Sequence, residues 1–162
     1  MRFHIHLKPR RAALTVEGAF IYPLMIFLLL ALVIGGVGIL RYQQVAAEAA
    51  EAARYACVHG RDFAAATDSR SPTASQIVEQ TVLPVAVGMD PAELSVQVQW
   101  LDASSGTMLD WDQCTKDVYS TTPSGEYVSN RVRVTVRYRW TPNFFGVGSL
   151  YLTNTCELPM AF

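Results

Sequence analysis

The pattern of hydrophobic and polar positions separates one long apolar segment from a mixed remainder. Residues 18–40 carry no charged side chain, and the segment is apolar on every side of a helix. As a helix its 23 residues extend about 34 Å, enough to cross a bilayer core of about 30 Å. The alternatives are a buried core helix and a cleaved secretory signal, whose apolar run is about 7–15 residues. The length and composition favour a transmembrane helix.

The sequence that follows the apolar segment keeps a helical character. Residues 41–58 are rich in Ala, Gln, Glu and Arg, and neither Gly nor Pro interrupts them. We expect one helix over 18–58 that ends at His59-Gly60. A narrow stripe of mostly small residues is predicted at Tyr42, Ala46, Ala49, Ala53 and Ala56. Gln44, Glu48 and Glu51 are expected elsewhere on the helix surface.

Residues 59–162, called the head below, alternate between strand and turn patterns. Thr73-Ala74-Ser75-Gln76 fits a capping box and predicts a short helix over 74–83. Residues 102–126 are polar and are expected to form a long excursion. Alternating apolar positions predict three strands, at 94–100, 132–140 and 150–158, of which the last two form a hairpin. The predicted fold class is α+β, with a long N-terminal helix and a small antiparallel sheet.

Charge is distributed unevenly along the chain. Residues 1–11 carry a net charge of +4, whereas the remainder carries −5. Basic residues before an apolar span hold that end in the cytoplasm, so the span predicts a single-pass membrane protein with an exported head. The chain then divides into a basic leader-like tail at 1–12, a helix at 13–58 and the head. The charged fraction of 17% gives no reason to expect a nucleic-acid partner.

Candidate catalytic chemistry is scarce. The sequence lacks a nucleophile elbow, a zinc-protease motif and a phosphate-binding loop. Cys57 and His59 supply too few ligands for a structural zinc site, which needs four. We therefore expect a protein that is not an enzyme and that has no metal or cofactor.

Arginines recur on one side of the second predicted strand. Arg131, Arg133, Arg137 and Arg139 occupy alternate positions of an apolar strand. They are the solvated face of an amphipathic strand, or a basic stripe that meets an acidic partner or lipid head groups.

Small residues also recur within the span. Ala31 and Gly35 are four residues apart, a spacing that suits a contact between helices. The alternative is that glycine is simply common in membrane helices.

Three cysteines, Cys57, Cys114 and Cys156, fall on the exported side, where an oxidising compartment allows a disulfide. Three cysteines permit three single bridges. We predict Cys114–Cys156, because the third strand should run back towards the base of the excursion that carries Cys114. Cys57 would then stay free or pair with another subunit.

The first 60 residues resemble the TadE-like family, pilin-like proteins of the tight-adherence (Flp, type IVc) pilus system. The resemblance lies in RRAALTVEGAFIYPLMIFLLLALVIGG followed by RYQQVAAEAAEAARYA. These stretches combine a basic tail, a Glu at the membrane edge, an apolar helix interrupted by Pro and an Ala-rich helix. In the head, VRVTVRYRWTP and LYLTNTC fit more loosely.

The resemblance implies processing by a prepilin peptidase at the cytoplasmic side. The scissile bond of this family lies five residues before the Glu, which places it between Ala12 and Ala13 and makes Glu17 the fifth mature residue. Two positions depart from the family pattern: Ala12 stands where Gly is usual, and Gly18 stands where pseudopilins often have an aromatic residue.

The resemblance also implies a function: a minor pilin or pseudopilin in pilus assembly, surface adhesion and secretion. Its partners would be the bilayer, other pilin-like subunits, the assembly platform and the peptidase. The alternative is a single-pass anchored envelope domain that binds a partner without entering a pilus.

Overall fold

The computed structural model describes the backbone of residues 9–142, 146 and 148–161, and the side chains of these residues from Thr15 onward. The fold is α+β, as predicted. By its contacts the chain forms two compact units, the first ending at Gly38 and the second, called the C-terminal unit, spanning Ile39–Phe162. Residues 1–8 of the predicted basic tail lie outside the described residues.

Helix α1 runs without a break from Pro9 to Val58. The helical range therefore extends further towards the N-terminus than either predicted range, 18–58 or 13–58. It continues through Pro23, and its end just before His59-Gly60 is as predicted. Two helices follow that are much shorter: α2 (Arg61–Thr67), which sequence reasoning missed, and α3 (Ala74–Ile77). The predicted capping box of α3 is confirmed, and α3 continues as a π-helical turn, Val78–Val82.

The three predicted strands are all present and belong to one antiparallel sheet. Within the described residues the strands are β1 (Leu94–Asp102), β2 (Thr107–Asp110), β3 (Tyr119–Thr121), β4 (Tyr127–Ser129), β5 (Arg131–Trp140) and β6 (Leu150–Pro159). The larger sheet has the strand order β2-β1-β5-β6, in which the predicted strands are β1, β5 and β6. The expected hairpin of β5 and β6 is confirmed by their antiparallel pairing. The excursion over 102–126 contains two short strands that were not predicted, β2 and β3, and β3 pairs with β4 in a separate small sheet.

Alternation along the strands gives the larger sheet two different faces. Even-numbered residues of β1, β5 and β6 lie on the inner face, where Val132, Val134 and Val136 are fully buried. Odd-numbered residues of the same strands lie on the outer face, together with the β2 residues that pair with them. Full burial of a branched apolar side chain contributes about 1.5–3 kcal/mol to the free energy of unfolding, so the inner face is a main source of stability.

The inner face shares one hydrophobic core with the last part of α1. Ala49, Ala52, Ala53 and Ala56 are fully buried there, together with Val45. Because alanine side chains are small, the helix backbone lies close to its neighbours in this core. The predicted small-residue stripe is therefore partly right, although Tyr42 at its start is exposed.

Candidate functional site

The charge-free part of α1 presents apolar side chains outward. Phe20, Leu24, Leu28 and Leu32 are all more than two thirds exposed. Within the part of the chain that the structure describes, one helix, near the N-terminus, is long and apolar enough to cross a membrane. A soluble unit rarely exposes so continuous an apolar surface, so this segment is suited to lipid or to other helices.

Glu17 lies at the start of this apolar segment and is exposed. Beside it, Gly18 leaves room for an aromatic ring one turn along the helix: a Cβ atom at Gly18 would lie 2.9 Å from Cε2 of Tyr22. These two residues line a shallow cavity of about 270 Å³ together with Glu17 and Ile21. The side chains of Ala12 and Ala13 lie outside the described residues, so the proposed cleavage site stays a prediction.

The pair predicted for helix contact, Ala31 and Gly35, lies on the exposed part of α1. Apart from its chain neighbours and the adjoining helix backbone, no atom of the described residues lies within 4 Å of a Cβ placed on Gly35. The space beside this residue is open, and a helix contact there stays a prediction.

The four predicted arginines all lie on the outer face of the sheet. Arg133 donates from Nε and Nη2 to one oxygen of Glu157, at 2.9 and 2.7 Å, and Arg131 donates to the other oxygen at 3.0 Å. These hydrogen bonds, first from Arg133 and then from Arg131, hold the pKa of Glu157 below its ordinary value. At this end of the sheet, one carboxylate therefore forms ion pairs with two guanidinium groups.

The other two arginines are less fully paired. Arg139 meets Glu93 at 3.6 Å, and both side chains are well exposed. The guanidinium carbon of Arg137 lies 3.9 Å from the ring centroid of Tyr151, a cation–π contact. Arg137, Arg139 and Tyr151 line a cavity of about 350 Å³ with Ser95 and Glu93.

The predicted Cys114–Cys156 bridge is not formed in the structure, in which all three thiols are free. The Cys114 thiol instead donates to the carbonyl oxygen of Trp111 at 3.3 Å, and the Cys57 thiol donates to that of Arg54 at 3.1 Å. Burial raises the pKa of Cys57, and the neighbouring Cys156 thiol raises it further.

Glu48 was expected on the surface of α1, and this expectation is wrong. Its side chain is fully buried, and neither carboxylate oxygen has a hydrogen-bond partner. Burial raises the pKa of Glu48 to about 7, against a smaller lowering by the positive charge of Arg41. The signal was present in the sequence, since Glu48 lies three residues after Val45 and four before Ala52, both of which are buried.

Arg41, the first charged residue after the apolar segment, is also engaged in a way the sequence did not indicate. Its guanidinium donates to the carbonyl oxygens of Val87 and Gly88, at 2.7 and 2.6 Å, and to the Gln44 side chain at 2.8 Å. Gly88 has a φ of +70°, which glycine adopts without strain. These bonds tie the turn at 87–88 to α1.

Among the described residues, no group of three or more His, Cys, Asp and Glu side chains is placed to hold a metal ion. Of the aspartates in the excursion, Asp117 pairs with Arg61 at 2.7 Å and Asp112 accepts from the Ala74 amide at 2.9 Å. These two carboxylates therefore fasten α2 and α3 to the loop that carries them.

No family model matches this chain, and no curated protein or solved structure is significantly similar to it. The resemblance to the TadE-like family therefore depends on the sequence motifs alone.

Proposed function

We propose that this chain is a membrane-anchored, pilin-like protein that acts as a minor pilin or pseudopilin of a tight-adherence pilus. One observation carries the proposal: a single helix, α1, supplies both an exposed apolar segment long enough to cross a bilayer and the alanine face buried in the core of a small sheet unit. A subunit that is held in lipid and later transferred to a fibre needs both parts. The sequence motifs around Glu17 supply the link to the family.

The chemistry around Glu17 supports assembly. Cleavage between Ala12 and Ala13 removes the basic tail and leaves a free amine on Ala13. Glu17 then lies one helical turn further along, at the edge of the apolar segment, where an unpaired carboxylate is costly in lipid. The amine of a neighbouring subunit neutralises it and fixes the register between subunits.

The positive tail sets the orientation in this proposal. The N-terminus stays in the cytoplasm, where the peptidase acts, and the head is exported. The partners are then the bilayer, other pilin-like subunits and the assembly platform, and the roles are pilus assembly, adhesion and secretion. A reporter fused after Phe162 tests the topology, because a reporter active only outside the cytoplasm should work and a cytoplasmic reporter should be silent.

Processing is tested by the intact mass of the protein from cells that carry a tight-adherence system. The expected mature chain begins at Ala13, and Glu17→Ala should reduce recovery in sheared surface fibres while leaving membrane insertion intact. Insertion survives because loss of a charge favours transfer into lipid. Glu51→Ala, which removes an exposed carboxylate from the same helix, is the matched control.

A mass that retains Met1, together with unchanged fibre recovery for Glu17→Ala, would overturn the proposal. The chain would then be a plain anchored domain that binds an envelope partner without entering a pilus.

A further inference from the structure

The two ends of the outer sheet face differ in how their arginines are neutralised. At one end, Arg131 and Arg133 share Glu157, and the strand register places Asp110 in the same cross-strand row as Arg133. Two positive and two negative side chains therefore lie at that end, and their formal charges sum to zero. At the other end, Arg137 and Arg139 face a single carboxylate, Glu93, which reaches only Arg139 and only at 3.6 Å. The excess positive charge is therefore concentrated at that end.

The end of the outer face that carries Arg137 and Arg139, called the open end below, is suited to bind carboxylates. Arg137, Arg139, Ser95 and Tyr151 line its cavity of about 350 Å³ together with Glu93, and both arginines are exposed. Glu93 offsets one of the two positive charges, which leaves one in excess. An arginine presents several N–H groups in a fixed plane, which suits bidentate contact with a carboxylate. The ring of Tyr151 restricts the guanidinium of Arg137 through their cation–π contact. This pre-positioning lowers the entropy that a partner must remove on binding.

The charge of the rest of the head indicates the partner. Residues 59–162 contain seven basic and eleven acidic side chains, a net charge of −4, and four of the seven basic residues lie on β5. Several exposed carboxylates make no ion pair with the described residues, among them Asp68, Glu79 and Glu126. The same chain therefore carries a basic patch and acidic side chains elsewhere on its head.

We infer that the open end of the outer face, formed by Arg137, Arg139, Ser95 and Tyr151, binds acidic side chains on the head of a second copy of this chain. The two contacting surfaces differ, so the contact is heterologous, and such contacts give rings or open filaments rather than two-fold dimers. The inference deepens the proposed function, on which it rests, by naming the surface through which neighbouring heads recognise one another.

Charge reversal in the purified full chain, kept in a zwitterionic detergent without anionic lipid, tests this surface. Sedimentation at low and high salt should show that wild-type self-association weakens as salt increases. Arg137→Glu combined with Arg139→Glu should weaken association at low salt about tenfold or more, because like charges then meet. Arg54→Glu combined with Arg70→Glu changes the net charge equally at exposed sites and should leave association near the wild-type value.

A mixing experiment distinguishes a lost contact from misfolding of the charge-reversed variant. A chain in which Asp68, Glu79 and Glu126 are all replaced by Lys should associate with the Arg137→Glu/Arg139→Glu chain when the two are mixed. A photo-crosslinking residue at Ser95, in a mixture of isotopically light and heavy chains, should give light–heavy peptides that contain the acidic segments.

The inference is overturned by any of three results: equal losses in the two charge-reversed variants, no association on mixing, or crosslinks confined to one copy. Association that appears only after anionic lipid is added also overturns it, because the partner would then be a membrane surface. None of these measurements uses the peptidase or the assembly platform. The head contact can therefore succeed even if processing at Ala13 fails, and the reverse also holds.

Discussion

Glu48 should make the stability of the C-terminal unit fall as the pH rises. Burial raises its folded-state pKa to about 7 from an ordinary value of 4.5. The folded chain therefore holds a proton on Glu48 more tightly than the unfolded chain does. This stabilisation is complete below pH 4.5 and is lost as the pH rises through about 7. A carboxylate with a depressed pKa, such as Glu157, contributes in the opposite direction.

The expected size follows from the two pKa values of Glu48. Values of about 7 and 4.5 differ by the equivalent of about 3 kcal/mol in the free energy of unfolding. Arg41, on the same helix, is the charged group that favours ionisation, but its guanidinium is occupied by the carbonyl oxygens of Val87 and Gly88.

Urea unfolding of the full chain in zwitterionic detergent, followed by far-ultraviolet circular dichroism between pH 4.5 and 8.5, measures this effect. Glu48→Gln removes the titration, although a buried amide without partners has its own cost of about 1–3 kcal/mol. That cost does not depend on pH. The difference in unfolding free energy between the wild type and Glu48→Gln should therefore change by about 3 kcal/mol across the range, in favour of the variant at high pH.

Glu51→Gln is the matched control, because Glu51 lies one turn further along α1 and is exposed in an ion pair with Arg54. Its stability should stay parallel to that of the wild type, because the side chain of Glu51 is half exposed to solvent. Parallel curves for the wild type and Glu48→Gln would refute the reasoning, since Glu48 would then be ionised in the folded protein at no cost.

Three further substitutions test the packing of the C-terminal unit by the same unfolding assay. Gly88→Ala should destabilise the protein more than Gly106→Ala. Both glycines have a φ of +70°, but of the two new Cβ atoms only the one at Gly88 would meet a neighbour, Nη2 of Arg41 at 3.0 Å. Equal losses of stability would show that the contact with Arg41 is unimportant. Trp111→Phe should cost about 1–3 kcal/mol, since the fully buried indole loses its 2.7 Å hydrogen bond to a backbone carbonyl. Asn130→Ala should cost at least as much, because this buried amide both donates to and accepts from the backbone; a loss below about 0.5 kcal/mol would contradict that role.

The regular elements of this fold are predictable wherever one periodicity extends over many residues. The alternation of β5 gives its position and the face on which each arginine lies. The long helix is predictable because no Gly or Pro interrupts its distal half. The short elements β2, β3, β4 and α2 were missed, because strands of three or four residues and a helix of seven carry too few positions to show a period.

The site was predictable only in part, because local pattern does not indicate which groups meet across the fold. The arginines were found from sequence, but the sharing of Glu157 by two of them depends on the register of β6 against β5. Glu48 was misplaced because a charged residue is normally assigned to the surface, although its spacing from Val45 and Ala52 indicates the core. The bonds from Arg41 to the turn at 87–88 connect residues more than forty positions apart, a distance at which sequence spacing is uninformative.

The alanine face of α1 has a consequence for how this sequence can vary. Ala49, Ala52, Ala53 and Ala56 have no exposed surface. A larger side chain at any of them must push the helix away from its neighbours. Such overpacking typically lowers the free energy of unfolding by about 1–3 kcal/mol. A valine on the inner sheet face can exchange for a residue of similar volume at lower cost. Amino-acid substitutions should therefore accumulate most slowly at these small buried side chains. The close approach of the helix backbone limits the size of any residue that can replace a neighbour in the core.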